Sequence, residues 1–396
     1  MSASSATTGT RGPRPPLWRD VRVLRVLGQI AFAALTVAFL WWIWGNLTGN
    51  LEQRNLPTGF DYLSQPGGFI VQYSDVTSST PIWQVILTGV ENTLRVSLVG
   101  IVLATVIGVL IGIGRLSSNW LVRKASALYV ESVRNIPVLV WIIFFFSAVL
   151  LPVLPQVQNS QVGNLFVANN RAVSLAGPTT PEGGAGTLWL LALAALLAAV
   201  AVGWWRTRRN IRTGEPHHRV IWGVATFAVI FAIGFVIAGV DIGLDRPARD
   251  GFSVTGGFAL TTPFLGVLIG LVVYTASHIA EIVRGSILAV PKGQQEAAQA
   301  IALTGFQRMR YVILPQALRI MVPPTANQYL NLTKNSSLAI AIGYSDLMTV
   351  VKTIIGNGRP APQNIAIAMA IYLTISLTIS FFTNLYNRRI QYVGRT

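Results

Sequence analysis

Few side chains in this sequence could do chemistry, and they concentrate in its last third. Glu281 and Arg284 stand three residues apart at the inner end of an apolar run that starts near residue 262. Thirteen Leu, Ile, Val and Phe between 261 and 288 contribute roughly −4 to −8 kcal/mol to membrane insertion, whereas two central charges cost about +5 to +7 kcal/mol. Insertion alone therefore does not favour keeping them. Two explanations stand: an i,i+3 ion pair that neutralises itself near the interface, or a carboxylate that meets a substrate ammonium in a pathway. Farther on, Asn327, Asn331 and Asn335 repeat every four residues with Lys334 beside them and Ser336 and Ser337 following, so a helix here carries one polar stripe. Such a stripe must face water or protein, lining either a path or a contact with a second subunit. His278 reads first as a helix-packing residue and second as a proton relay.

Between these clusters, Gln294 to Leu303 (QQEAAQAIAL) consists of strong helix formers and places Ala297, Ala300 and Ile301 on one face. Gly305 can end this short helix, and a second piece over 306–314 ends at Pro315. It could insert into a partner's groove or rest on lipid head groups. Other chemistries are poorly supplied. There is no cysteine, and His217, His218 and His278 are the only histidines, which leaves little for a metal site or a redox centre. No G-x-x-x-x-G-K-[ST] occurs, so the chain lacks the phosphate-cradling loop of an ATPase.

The elements that hold these residues are set by the bilayer. Of the 396 residues, 52% are hydrophobic and 11% charged, with a mean hydropathy of +0.55, which places the protein in a membrane. Eight stretches approach the roughly 20 apolar residues that a spanning helix needs: 26–45, 96–114, 135–154, 187–205, 220–240, 262–280, the polar 324–345, and 363–385. With the N-terminus placed in the cytoplasm, alternate connections hold 22 Lys and Arg on the inner side and 6 on the outer, a bias that fixes an even number of spans and puts both termini inside. The net charge of +16 is thus a topology signal, and nucleic-acid binding is a poor explanation for it. The first stretch reads as a retained span, because it is longer than a signal core and ends in Trp41, Trp42 and Trp44 without a small-residue cleavage site. Residues 1–16 read as a disordered tail, 46–80 and 152–186 as outer loops, and Arg206 to Arg219 as a contact with the inner leaflet.

These residues also resemble a family. Glu296-Ala297-Ala298, with Leu314-Pro315 after it, looks like the EAA loop of ABC importer permeases, and Pro315 to Arg319 with Lys334 to Leu338 resembles the polar-amino-acid branch. Asn92-Thr93-Leu94 and Arg134-Asn135-Ile136-Pro137 are similar to that branch as well. Leu51 to Phe69 looks like the outer segment of the longer permeases of general L-amino-acid and glutamate/glutamine/aspartate/asparagine importers. The family pattern has Gly four residues after the second Ala; Ala302 stands there, with Gly305 nearby, which implies a slightly different turn.

The resemblance implies an all-α integral membrane protein with the type I ABC importer fold, of about eight spans: five core and three additional. Its parts would be a cytoplasmic tail (1–25), an extra span (26–45), an outer loop (46–83), the first part of the core (84–154), an insertion with two extra spans (155–255), the second part of the core (256–390) carrying the coupling loop (285–320), and a C-terminal tail (391–396). Glu296, Ala297, Ala298, Ile301, Ala302, Gly305, Leu314 and Pro315 would couple to an ATPase; Glu281, Arg284, Asn331, Lys334, Asn335, Ser336, Asn92 and Thr93 would be candidates for the substrate path. The implied partners are a dimeric cytoplasmic ABC ATPase that holds ATP and Mg, a second and different permease, an extracytoplasmic amino-acid-binding protein and the lipid of the plasma (bacterial inner) membrane. This chain would hold no cofactor and catalyse nothing. An ion-coupled secondary transporter is the first rival, although related halves with broken helices are missing; a membrane-embedded enzyme is the second.

Overall fold

The computed structural model describes residues 21–53, 59–72, 74–160, 163, 165–179, 184–213, 218–237 and 243–392. The tail over 1–16, His217 and the end of the stretch 220–240 lie outside them. Each of the eight apolar stretches falls mainly on helix within the described residues, with 135–137, 154 and 343–345 outside it. Among the described residues, five helices are long and apolar enough to cross a bilayer unaided, and two bent helix pairs raise the number to as many as seven. The stretch 220–240 appears as the shorter apolar helix Val220–Val236.

The described residues fall into two compact units, one drawn from 1–71, 75–87 and 350–371, the other from 72–74, 88–349 and 372–396. In the first, the helix α1 (Val21–Gln53) precedes a short loop around the buried Tyr62. This loop is pinned back on itself: Gly67 N–H donates to the Thr80 carbonyl at 2.9 Å, Gly68 N–H to Ser78 at 3.0 Å, and Arg359 reaches Gln65 Oε1 at 2.6 Å.

The second unit is built around one helix. After α2 (Ile82–Gly114) come α3 (Trp120–Arg134) and α4 (Val138–Ile143), which continues through π-helical turns to Val153. The break at Arg134-Asn135-Ile136-Pro137 bends this pair by 105°, as proline's exclusion of helical backbone before it requires. The insertion follows, with α5 (Gly184–Thr213) and α6 (Arg219–Ile237). Then comes α7 (Thr262–Leu288), whose span is 67% buried. It is the hub: α2, α3, α4 and the helix after the coupling loop all touch it.

Close approach explains how. Gly108-Val-Leu-Ile-Gly112 in α2 and Gly266-Val-Leu-Ile-Gly270 in α7 are the same pentapeptide, with small residues one turn apart. A Cβ on Gly112 would lie 2.7 Å from the Ala280 carbonyl, and one on Gly270 would lie 2.8 Å from the Ile142 Cα. In lipid, where apolar burial gives little drive, such backbone contact is what holds helices together.

Among the described residues, seven short strands add to the helical expectation, six in the insertion and the seventh just after it. The strands β1 (Phe166–Ala168), β2 (Ala172–Leu175) and β3 (Gly177–Thr179) precede the α5–α6 pair; β4 (Gly243–Asp245), β5 (Ala248–Asp250), β6 (Ser253–Thr255) and β7 (Phe258–Thr261) follow it. Antiparallel pairing of β2 with β7, in the register Ala172 to Thr261, and of β3 with β4 closes the base of the helical hairpin. Three-residue strands carry too little alternation to be read from sequence.

Candidate functional site

The coupling loop folds as two helical pieces, with boundaries that differ from those expected. The first, α8 (Lys292–Ala300), ends three residues before Leu303: Ala302 takes the left-handed conformation at φ 58°. Its N–H donates to Gln299 O at 2.9 Å and Leu303 N–H to Ala298 O at 3.1 Å, a Schellman closure. The position where the family pattern has Gly is therefore the one that takes positive φ. Gly305 does not terminate α8. It is the first residue of α9 (Gly305–Arg308), opened by a capping box between Thr304 and Gln307. Nor does Pro315 stop the second piece. A π-helical turn (Met309–Ile313) leads into α10 (Leu314–Asn335), and Pro315 sits in its first turn, where its missing N–H costs nothing.

Within the loop Ala298 is buried against the chain's own helices, and Gln316 Nε2 donates to Gln294 Oε1 at 3.1 Å, tying α8 to α10. Glu296, Ala297, Ile301, Ala302, Gly305, Leu314 and Pro315 are exposed. Ile301 at 71% and Phe306 at 73% exposure are large apolar side chains on an otherwise polar element, a pattern that marks a contact surface.

The eight path candidates divide into three groups. Near the C-terminal end of α7 the Glu281 carboxylate is fully engaged: Arg284 Nη2 donates to Oε1 at 2.6 Å and Nε to Oε2 at 3.2 Å, and Arg115 at the end of α2 donates to Oε2. Arg115 also lies 3.9 Å from Glu131 of α3. The i,i+3 pair thus exists, and Arg115, read from sequence only as a topology charge, makes it a tie among three helices. On the preceding turn the His278 ring packs 4.7 Å from that of Tyr274.

Half-buried Asn92 and buried Thr93 and Ser336 form a second group. A 3-10 helix (Ser336–Ile342) follows α10 and stops at Gly343 (φ 74°), after which the helix Leu347–Gly356 begins. Asn92 Nδ2 donates to Ser345 O at 2.9 Å, the Tyr344 hydroxyl donates to Asn92 O at 2.9 Å, and Thr93 Oγ1 accepts from Leu347 N at 3.1 Å. At the centre is Asp346, fully buried, whose Oδ1 accepts from Thr349 N–H at 2.9 Å and Thr349 Oγ1 at 2.7 Å, and whose Oδ2 accepts from the Tyr372 hydroxyl at 3.1 Å. Sequence reading missed Asp346, although it is the lone acid between 338 and 355, and a charge in an apolar segment is the signal that could have found it.

In the third group Asn331 and Lys334 are exposed along α10 and Asn335 is half-buried; Asn327, on the same stripe, is exposed as well. Apart from these groups, a cavity of about 480 Å³ lies among α2, α7, α10 and the last helix, α11 (Ala361–Tyr392), lined by Thr105, Ile279, Met321, Tyr329, Phe382 and Tyr386 among others. Its lining holds hydroxyls, with Thr105 Oγ1 and Tyr329 Oη 2.9 Å apart, but no charged side chain. It offers no counter-ion to a zwitterion. No group of three or more His, Cys, Asp or Glu suited to a metal occurs among the described residues.

An all-helical membrane core with an exposed helical loop describes a transport component, and comparison with known proteins assigns the class. Residues 104–392 match the family described as binding-protein-dependent transport system inner membrane component. The chain belongs to that family and is a multi-pass inner-membrane protein. It is 40% identical over 380 residues to the general L-amino acid transport system permease protein AapQ of Rhizobium johnstonii, with 95% of this chain and 94% of that one covered. Likeness to the putative amino-acid ABC transporter permease protein YhdX of Escherichia coli is 38% over 93% of this chain and 94% of that one. For the glutamate/glutamine/aspartate/asparagine transport system permease protein BztB of Rhodobacter capsulatus it is 35%, over 94% of this chain and 95% of that one.

Proposed function

We propose that this chain is a permease subunit of an ATP-driven amino-acid importer of type I, in which it forms part of the path for polar and acidic or neutral L-amino acids such as glutamate and glutamine. The observation that carries this reading is end-to-end likeness to three proteins named as amino-acid permeases, at 35–40% identity. ATP and Mg belong to a separate dimeric ATPase, and this subunit catalyses no covalent step. Substrate arrives on an extracytoplasmic binding protein, and both termini lie in the cytoplasm. The core is drawn from 84–154 and 256–390; the span 26–45 and the insertion 155–255 are additions.

Coupling is mechanical. A short helix fixed to α10 by Gln294 and Gln316 moves with it. An ATPase socket that rocks α8 therefore rocks α10 and, through the packed α7, the rest of the unit. The exposed Asn327, Asn331 and Lys334 face a second, different permease subunit, and the path runs along that seam. Glu281 and Arg284 hold the inner ends of the helices together. Asn92, Thr93 and Ser336 hold the break before Leu347.

The test is co-purification of the tagged chain from its own membranes, followed by uptake of labelled glutamate and glutamine in proteoliposomes. An ATPase and a second permease should accompany it, and uptake should need ATP and the binding protein. Uptake that survives ATP depletion and collapses with an ion gradient would establish the secondary-transporter rival instead.

A further inference from the structure

We infer that the cavity among α2, α7, α10 and α11 is a binding site for one acyl chain of a membrane phospholipid. All of its lining belongs to the second compact unit. Its volume of about 480 Å³ falls within the roughly 300–1,000 Å³ of sites that enclose drug-sized molecules. Along α10 it runs from Leu318 to Tyr329, a stretch of helix about 16 Å long. That is the depth of one leaflet in a bilayer whose hydrocarbon is about 30 Å thick, so an inserted chain and the cavity match in length.

The lining selects hydrocarbon over water or a polar solute, because its hydroxyl protons are already spent. Thr105 Oγ1 donates to Ile101 O at 2.6 Å, which makes Tyr329 Oη the donor in its 2.9 Å bond to Thr105. Thr325 Oγ1 donates to Met321 O at 2.7 Å, and Thr383 Oγ1 to Ile379 O at 2.8 Å. A carboxylate or carbonyl entering here finds neither a charge nor one of these donors to meet it, and a water needs two to four polar partners. An empty cavity would forfeit the dispersion contacts of its apolar walls. An alkyl chain restores them.

The chain comes from the bilayer because the cavity is continuous with the lipid-facing surface. Ile279 and Val283 of α7 are buried and form its floor, whereas Phe382 and Tyr386 of α11 are 63% and 54% exposed and form its rim. The span that carries this rim, Ala361–Asn387, is only 6% buried, so a chain enters sideways from the leaflet nearer the coupling loop. On α10 the lining residues Leu318, Thr325 and Tyr329 fall on the face opposite Asn327 and Asn331. The acyl chain therefore sits behind α10, away from the polar stripe. This inference needs only the membrane-spanning character of the protein and stands whether or not that stripe meets a second permease.

Reconstitution of the full chain with phosphatidylglycerol carrying a diazirine in mid-chain, followed by photolysis and peptide mapping, tests it. Labelling at Val109, Met321 or Tyr329 should exceed severalfold that at Leu35 of α1, which is 71% exposed and meets bulk lipid. Ala326→Phe fills the cavity and should cut the labelling there roughly tenfold while leaving Leu35 unchanged. Thr325→Val removes a hydroxyl whose proton is already used and should keep full labelling, a reading that holds even where Ala326→Phe fails to fold. Ala326→Cys, in a chain with no other cysteine, should stay unreactive to a charged thiol reagent in water. Cavity labelling no stronger than at Leu35, undiminished labelling in a monodisperse Ala326→Phe variant, loss of labelling in Thr325→Val, or reaction of Ala326→Cys with the charged reagent would overturn the assignment. Displacement of the labelled lipid by an equal amount of free palmitate would also overturn it, by giving the site to a fatty acid.

Discussion

At Ala302 an L-residue occupies the left-handed region, which costs about 1–2 kcal/mol relative to glycine's indifference, less about 0.5–1 kcal/mol that glycine loses in chain entropy. Ala302→Gly should therefore raise stability by about 0.5–1 kcal/mol, read as a higher melting temperature in detergent, with transport intact. Ala302→Val, β-branched at positive φ, should lower both. Glu281 invites a second measurement, because both of its oxygens are taken by Arg284 and Arg115. Glu281→Gln should cost about 1–3 kcal/mol, between the limits for exposed and buried pairs, since these side chains are 14–30% exposed. The apparent affinity for amino acid should not move. A raised KM with unchanged melting temperature would return Glu281 to the substrate path.

Among the elements, the two GVLIG segments and the break before Leu347 decide the packing. Gly112→Leu puts side-chain atoms where the Ala280 carbonyl and Val283 already stand 2.7–2.9 Å from a Cβ. Overpacking of this kind costs about 1–3 kcal/mol or forces the helices apart, and it should appear as lowered yield and melting temperature. Asp346→Ala removes the cap on Thr349 N–H and leaves the Tyr372 hydroxyl without its acceptor, an expected loss of about 2–4 kcal/mol; stability equal to the parent would show that the network carries no weight. How legible these elements are from sequence follows from their length. Runs of about twenty apolar residues announce a span, so each stretch falls mainly on helix, and even the polar 324–345 is helical up to Ile342. Breaks and turns depend on one or two residues and tertiary contacts: Gly343 and Asp346 had no periodicity to betray them, and Gly305 offered a plausible stop that the Ala302 turn had already supplied. The path candidates separated for the same reason. Residue type marked Glu281 as a costly charge and the family resemblance pointed to Asn92 and Thr93, but only geometry gives their partners.

On the scale of the whole molecule, most of the lipid-length helix surface is apolar and exposed, while the exposed polar stripe of α10 and the exposed apolar tip of the coupling loop break that pattern. These two departures are where other subunits belong in the proposed importer. The most direct test of the central claim, that α8 is the contact with the motor, is site-specific crosslinking from Ile301→Cys, which is clean because the chain contains no cysteine of its own. In native membrane vesicles the expected result is a crosslink to the co-purifying ATPase that changes in yield with ATP and stops uptake. A thiol at 301 that reacts only with lipid-phase probes, while ATP-driven uptake continues at the parental rate, would contradict it.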